Sequence, residues 1–272
     1  MSVKQLLIFD SGVGGLSIFQ ELIKQSDNIH CYYLSDNAYF PYGELDESTL
    51  INRLILLLSD FIKQHSVDMI LIACNSASTV ALKSLRAHFS MPIIGVVPAI
   101  KPACLNTKSG VIGLVATPAT IKRDYTNALI KEFASDKMVL KIGTTALVKL
   151  AEEKLQGKMV DKSLLQSIFQ PWLEEKIKPD TLVLGCTHFP LLKAEINDCF
   201  AGSVKLVDSG EAIAKRITLL LAAGENKQSV RYDAFYTLQN KQQLSLEDTF
   251  MNMGFHSFSL FSRAVASRTY LL

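Results

Sequence analysis

The chain has 272 residues, longer than one hydrophobic core ordinarily fills and comfortable for two domains of common size. Hydrophobic residues make up 49% and charged residues 20%, a balance that excludes a disordered chain and a coiled coil. The formal charge is +2, and the lysines and arginines are scattered rather than gathered into a basic patch, so no nucleic-acid partner is expected.

The start, "MSVKQLLIFDSG", offers a short apolar run that ends at Asp10, too short for a signal-peptide core. No apolar stretch approaches the ~20 residues that span a bilayer, so a cytoplasmic protein without a membrane partner is expected. Apolar runs then read as strands at 6–9, 31–34, 69–73, 93–97, 111–115, 139–142, 182–184 and 205–207. Helical patterns occupy 16–24, 50–64, 119–133, 146–156, 162–176 and 211–222. Strands that are apolar throughout and separated by helices belong to parallel sheets covered on both faces, which makes the class α/β.

A weak internal repeat divides the chain. The first strand runs into "DSG" (10–12), and Cys74 follows a later strand; the strand at 111–115 runs into "ATPAT" (116–120), and Cys186 follows at a similar distance. The expected architecture is two similar lobes, each a parallel sheet covered by helices, with the active site in the cleft between them. The prolines of "VVPAIKPA" (96–103) mark the linker, and the chain returns to the first lobe after "VDSGEAIA" (207–214). The lobes are then 1–97 plus 211–272, and 98–210.

Several motifs carry candidate chemistry. "FDSGVGGLS" (9–17) lacks the glycine spacing of a dinucleotide fingerprint; it suits a tight strand-to-helix turn whose N–H groups could face a carboxylate or a phosphate. In "AYFPYGELDE" (38–47), Tyr42 offers a hydroxyl and Gly43 a backbone that a small ligand can approach, unless the segment is only a turn. Five cysteines, with no CxxC pair, support neither a disulfide framework nor a zinc knuckle, and no metal site is expected. Cys31, Cys104 and Cys199 read as packing residues. Cys74 in "IACNSAST" (72–79) and Cys186 in "VLGCTHFP" (183–190) instead sit beyond strand ends, where parallel α/β sheets bind ligands and a following helix start favours the thiolate. His188 and Asp10 could tune such thiols; Glu152, from spacing alone, reads as a solvated helix carboxylate.

Two thiols facing one cleft suit the inversion of a stereocentre bearing a weakly acidic hydrogen. One group removes the proton from one face and the other delivers a proton to the opposite face, which a single fixed base cannot do.

The motifs "FDSGVGGLS", "PYG" (41–43), "ACNSAS" (73–78), "GVVPA" (95–99), "LGCTHFPLL" (184–192) and "VDSGEAIA" together resemble glutamate racemases of the cofactor-independent aspartate/glutamate racemase superfamily, over nearly the whole chain. The resemblance implies that Cys74 and Cys186 are the paired acid/base residues, serving D- and L-glutamate respectively, assisted by Asp10, His188 and Glu152. It implies substrate contacts from Asp10, Ser11, Tyr42, Gly43, Asn75, Ser76, Thr117, Thr120, Thr187 and His188. Ser76 stands where relatives commonly carry Thr and keeps the hydroxyl. It further implies a homodimer that needs no cofactor or metal and supplies D-glutamate for peptidoglycan. An aspartate racemase, a carboxylate-binding protein on the same lobes and a cysteine hydrolase using Cys186 and His188 are the alternatives; the last leaves Cys74 unexplained.

Overall fold

The computed structural model describes residues 3–174, 176–221 and 230–262. The first part of the chain alternates strictly: β1 (Lys4–Asp10), α1 (Leu16–Gln25), β2 (Ile29–Ser35), α2 (Glu47–Gln64), β3 (Met69–Ile72), α3 (Asn75–His88) and β4 (Ile93–Gly95). It continues through α4 (Ile100–Asn106), β5 (Val111–Ala116), α5 (Pro118–Lys122), α6 (Asp124–Phe133), β6 (Met138–Gly143), α7 (Ala146–Leu155) and α8 (Lys162–Glu174). Then come β7 (Thr181–Leu184), α9 (Lys193–Cys199), β8 (Lys205–Val207), α10 (Gly210–Leu220), β9 (Tyr232–Tyr236), α11 (Lys241–Leu244), α12 (Glu247–Asn252) and β10 (Ser257–Leu260).

Two parallel sheets result, of an α/β fold. The first has six strands in the order β10-β9-β2-β1-β3-β4, the second four in the order β6-β5-β7-β8. Burial explains why these runs form strands. Leu6 and Ile8 of β1 pack into the core on one face, Leu7 and Phe9 into the core on the other, so no polar face exists for water. In β5, Val115 faces one core while Ile112 and Leu114 face another. Helices cover both sides, as apolar parallel strands require.

The register sets the ends of key strands side by side. Ile72 of β3 pairs with Phe9 of β1, and the Ala73 N–H donates to the Phe9 carbonyl at 2.7 Å, so Asp10 and Cys74 leave the sheet as neighbours. Leu184 of β7 pairs with Val115 of β5, and the Gly185 N–H donates to the Val115 carbonyl at 2.8 Å, so Thr117 and Cys186 emerge together. The repeat read in the sequence is this shared geometry.

Some expectations needed correction. The helix expected over 119–133 is two helices, because Arg123 is extended (φ −65°, ψ 138°) and pairs with Glu47. The strand expected over 93–97 stops at Gly95. The end of the helix expected at 222 lies outside the described residues, as does residue 175 of the helix expected over 162–176. His30 lies within β2 and faces Asp233 of β9 at 3.7 Å.

Candidate active site

Asp10 ends β1 and is fully buried. Its carboxylate accepts the backbone N–H of Ser11 at 2.6 Å and of Gly15 at 2.5 Å. The glycine turn does cradle a carboxylate, but one supplied by the chain itself. Burial pushes the Asp10 carboxyl up, and this outweighs the His188 charge and the two amides that pull it down.

Cys74 is the N-cap residue of α3, yet makes no side-chain capping bond. Its sulfur lies 3.7 Å from Ser11 Oγ, and the residue as a whole is only 7% exposed. Burial raises this thiol well above its ordinary range, and the charge of Asp10 adds to the effect; the Ala77 N–H and the Ser11 hydroxyl oppose it. Cys74 is therefore held as the thiol. A charge on Cys186 would add to the rise, so the second cysteine lies within electrostatic reach of the first.

Cys186, also 7% exposed, follows β7 and lies 3.8 Å from His188 Nδ1. The other ring nitrogen, Nε2, is 2.8 Å from Glu152 Oε1. Burial pulls the imidazole down, but its bonds to Cys186 and Glu152 prevail and raise it well above 6.5. Glu152 is not the solvated carboxylate that spacing alone indicates: its side chain is 12% exposed, and the same Oε1 accepts the Val13 N–H at 2.9 Å.

The two sheets are fastened together at this point. Thr187 Oγ1 donates to Asp10 Oδ2 at 3.4 Å, while Ser17 Oγ contacts both the Gly14 and Thr187 carbonyls at 2.8 and 2.9 Å. Ser76 Oγ lies 3.3 Å from Thr117 Oγ1, which donates to Thr120 Oγ1 at 3.0 Å. Asn75 is buried at the start of α3. A Cβ at Gly43 would meet Thr117 Cβ at 3.3 Å and Ser76 Oγ at 3.5 Å, so Gly43 reaches this hydroxyl wall. The hydroxyl of Tyr42 is directed elsewhere and donates to Asp36 Oδ2 at 2.5 Å.

Thus the residues singled out in the sequence converge from both sheets. A cavity of about 230 Å³ beside them is bordered by Gly12, Phe40 and Glu152 but by neither cysteine. Among the described residues no group of three or more His, Cys, Asp or Glu is arranged to hold a metal ion. Sequence reasoning missed Ser17, Asp36 and Arg53. Arg53 had left a signal: it occupies the same helical face as Leu50, Leu54 and Leu57, where an unpaired charge is untenable.

Residues 17–217 match the model of the Asp/Glu/hydantoin racemase family. The chain is 52% identical over 224 residues to the glutamate racemase of Vibrio parahaemolyticus, covering 82% of each. It is 47% identical over 263 residues to that of Vibrio campbellii, covering 96% of this chain and 97% of the other. The fold superposes with a TM-score of 0.91 on the crystal structure of Escherichia coli glutamate racemase in complex with L-glutamate and the activator UDP-MurNAc-ala, at 40% identity, covering 95% of this chain and 98% of that one. Together with these relatives, the α/β fold of two parallel sheets places the chain in the racemase class of isomerases. The chain belongs to the Asp/Glu/hydantoin racemase family, among its glutamate racemases.

Proposed function

We propose that this protein interconverts L- and D-glutamate by proton transfer between two cysteines, without a cofactor or metal. The observation that carries this reading is the pair Cys74 and Cys186, which follow equivalent strands of two sheets, are both nearly buried and flank residues bonded across the sheets, Asp10 and Thr187.

In the resting arrangement Cys74 is a thiol, while Cys186 adjoins the His188 imidazolium held by Glu152. That state is poised for L-glutamate: Cys186 removes the α-proton and Cys74 delivers one to the opposite face. The reverse reaction starts from the opposite protonation states, with Asp10 beside Cys74 and Ser11 as the assisting group. Ser11, Gly43, Asn75, Ser76, Thr117, Thr120, Thr187 and His188 hold the substrate, with Tyr42 shaping the Gly43 backbone. Burial makes each proton transfer sensitive to its fixed neighbours rather than to water.

The lobes of this reading are 1–97 plus 211–272, and 98–210; the membership of β9 and β10 in the first sheet supports that division. The resemblance to glutamate racemases supports a cytoplasmic homodimer that supplies D-glutamate for peptidoglycan. A cysteine hydrolase would need only Cys186 and His188, and so gives Cys74 no role.

The test is the reaction in D₂O from protiated L-glutamate, stopped early. D-Glutamate formed first should carry solvent deuterium while unreacted L-glutamate stays protiated, and the asymmetry should reverse from D-glutamate. Substantial protium in the first-formed product would sink the two-thiol assignment.

A further inference from the structure

Asp36 immediately follows β2, and its N–H donates to the Asp10 carbonyl at 2.9 Å. Its carboxylate is completely removed from water. Such a group persists only when paired and fully hydrogen-bonded. Arg53 meets it with both arms of its fork, Nε to Oδ2 at 2.8 Å and Nη2 to Oδ1 at 2.7 Å. The Tyr42 hydroxyl donates to Oδ2 at 2.5 Å and the Thr237 hydroxyl to Oδ1 at 2.7 Å.

Each donor comes from a different element. Arg53 projects from the apolar face of α2, its side chain 11% exposed, with the guanidinium 4.4 Å above the Tyr39 ring. Thr237 follows β9, where Asn37 Oδ1 also accepts the Thr237 and Leu238 N–H groups at 2.9 Å each. Tyr42 belongs to the segment that carries Gly43 to the wall of Ser76 and Thr117, and its ring packs on Phe9 at 5.9 Å between centroids. One carboxylate therefore joins a helix, a strand end and the loop beside the site.

We infer that Arg53 is a positioning residue: acting through Asp36 and Tyr42, it holds the segment 40–43 against the hydroxyls of Ser76 and Thr117, and Thr237 couples the end of β9 to the same clamp. The inference rests on the racemase reading, in which that wall binds the substrate. Neither Arg53 nor Thr237 contacts the cysteines, so their loss should weaken substrate binding more than proton transfer. A bidentate fork has no equivalent in lysine, which brings only a point charge.

The test uses the full chain, following racemisation by optical rotation alongside thermal unfolding. Arg53→Met should raise KM for both enantiomers about tenfold while kcat changes by less than about threefold, because a displaced segment loses contacts that bind substrate and transition state alike. Arg53→Lys should recover part of that loss. Thr237→Val, which removes the hydroxyl's bonds to Asp36 Oδ1 and from the Ala38 N–H but leaves the ion pair, should raise KM about twofold to threefold. A purely structural role would lower the melting temperature and leave KM of the folded enzyme as it was, which overturns the inference. If Arg53→Met does not fold, an unchanged KM in Thr237→Val overturns it. A wild-type chain that fails to racemise glutamate overturns the functional reading and this inference together; an active wild type with unaltered KM in the variants overturns this inference alone.

Discussion

Glu152 Oε1 accepts from two sources at once: the backbone N–H of Val13 at 2.9 Å and Nε2 of His188 at 2.8 Å. One atom on α7 thereby ties the glycine turn of the first sheet to the histidine that flanks Cys186. Glu152→Gln preserves the shape but removes the charge that favours the imidazolium. We expect the alkaline limb of the rate profile from L-glutamate to move to lower pH and kcat at neutral pH to fall about tenfold. A pH–rate profile that superposes on the wild type's would show that Glu152 serves the turn alone.

Cys74→Ala and Cys186→Ala should each abolish racemisation without unfolding the protein, because each thiol serves one face of the stereocentre. Cys104→Ala and Cys199→Ala, at half-buried positions away from the cleft, should cost about 1 kcal/mol and spare activity. Circular dichroism and the optical-rotation assay check both halves. A folded Cys186→Ala variant with a near-normal rate would refute the pairing.

Gly14 has no room for a side chain: a Cβ there would stand 2.5 Å from His188 Nδ1 and 2.7 Å from Thr187 Oγ1. The obstructing atoms are side chains rather than backbone, so Gly14→Ala should fold with His188 turned away from Cys186. A loss of about 100-fold in kcat is expected from such a displacement. Steady-state kinetics with wild-type values would mean that the histidine geometry does not matter to the reaction.

The raised His188 has a consequence for stability. A histidine that holds its proton more tightly when folded contributes stability that is fully present below pH 6.5 and is lost as the pH climbs through its raised folded value. Denaturant unfolding should show wild-type stability declining above pH 6.5, by at most about 1.4 kcal/mol per pH unit for this one proton. The buried Asp10 and Cys74 have the same sign, beginning near pH 3.8 and pH 9 respectively. His188→Asn should therefore flatten only the portion that starts at pH 6.5, and a difference curve without pH dependence there would contradict the imidazolium.

By itself the sequence determined the α/β class, the succession of strands from Leu6 to Val207 and the two cysteine turns. Apolar runs buried on both faces and small polar residues at strand ends are local patterns, legible without knowing what packs against them. Only the tertiary structure decided the partners. Glu152 looked like a solvated helix carboxylate because one helical turn contains no record of the Val13 amide and His188 ring brought against it. Tyr42 offered a hydroxyl in the sequence, yet that hydroxyl is taken up by Asp36, on which Arg53 and Thr237 also converge from separate elements. Burial and charge pairing act across space, so protonation at this site is a property of the folded neighbourhood and not of any one segment.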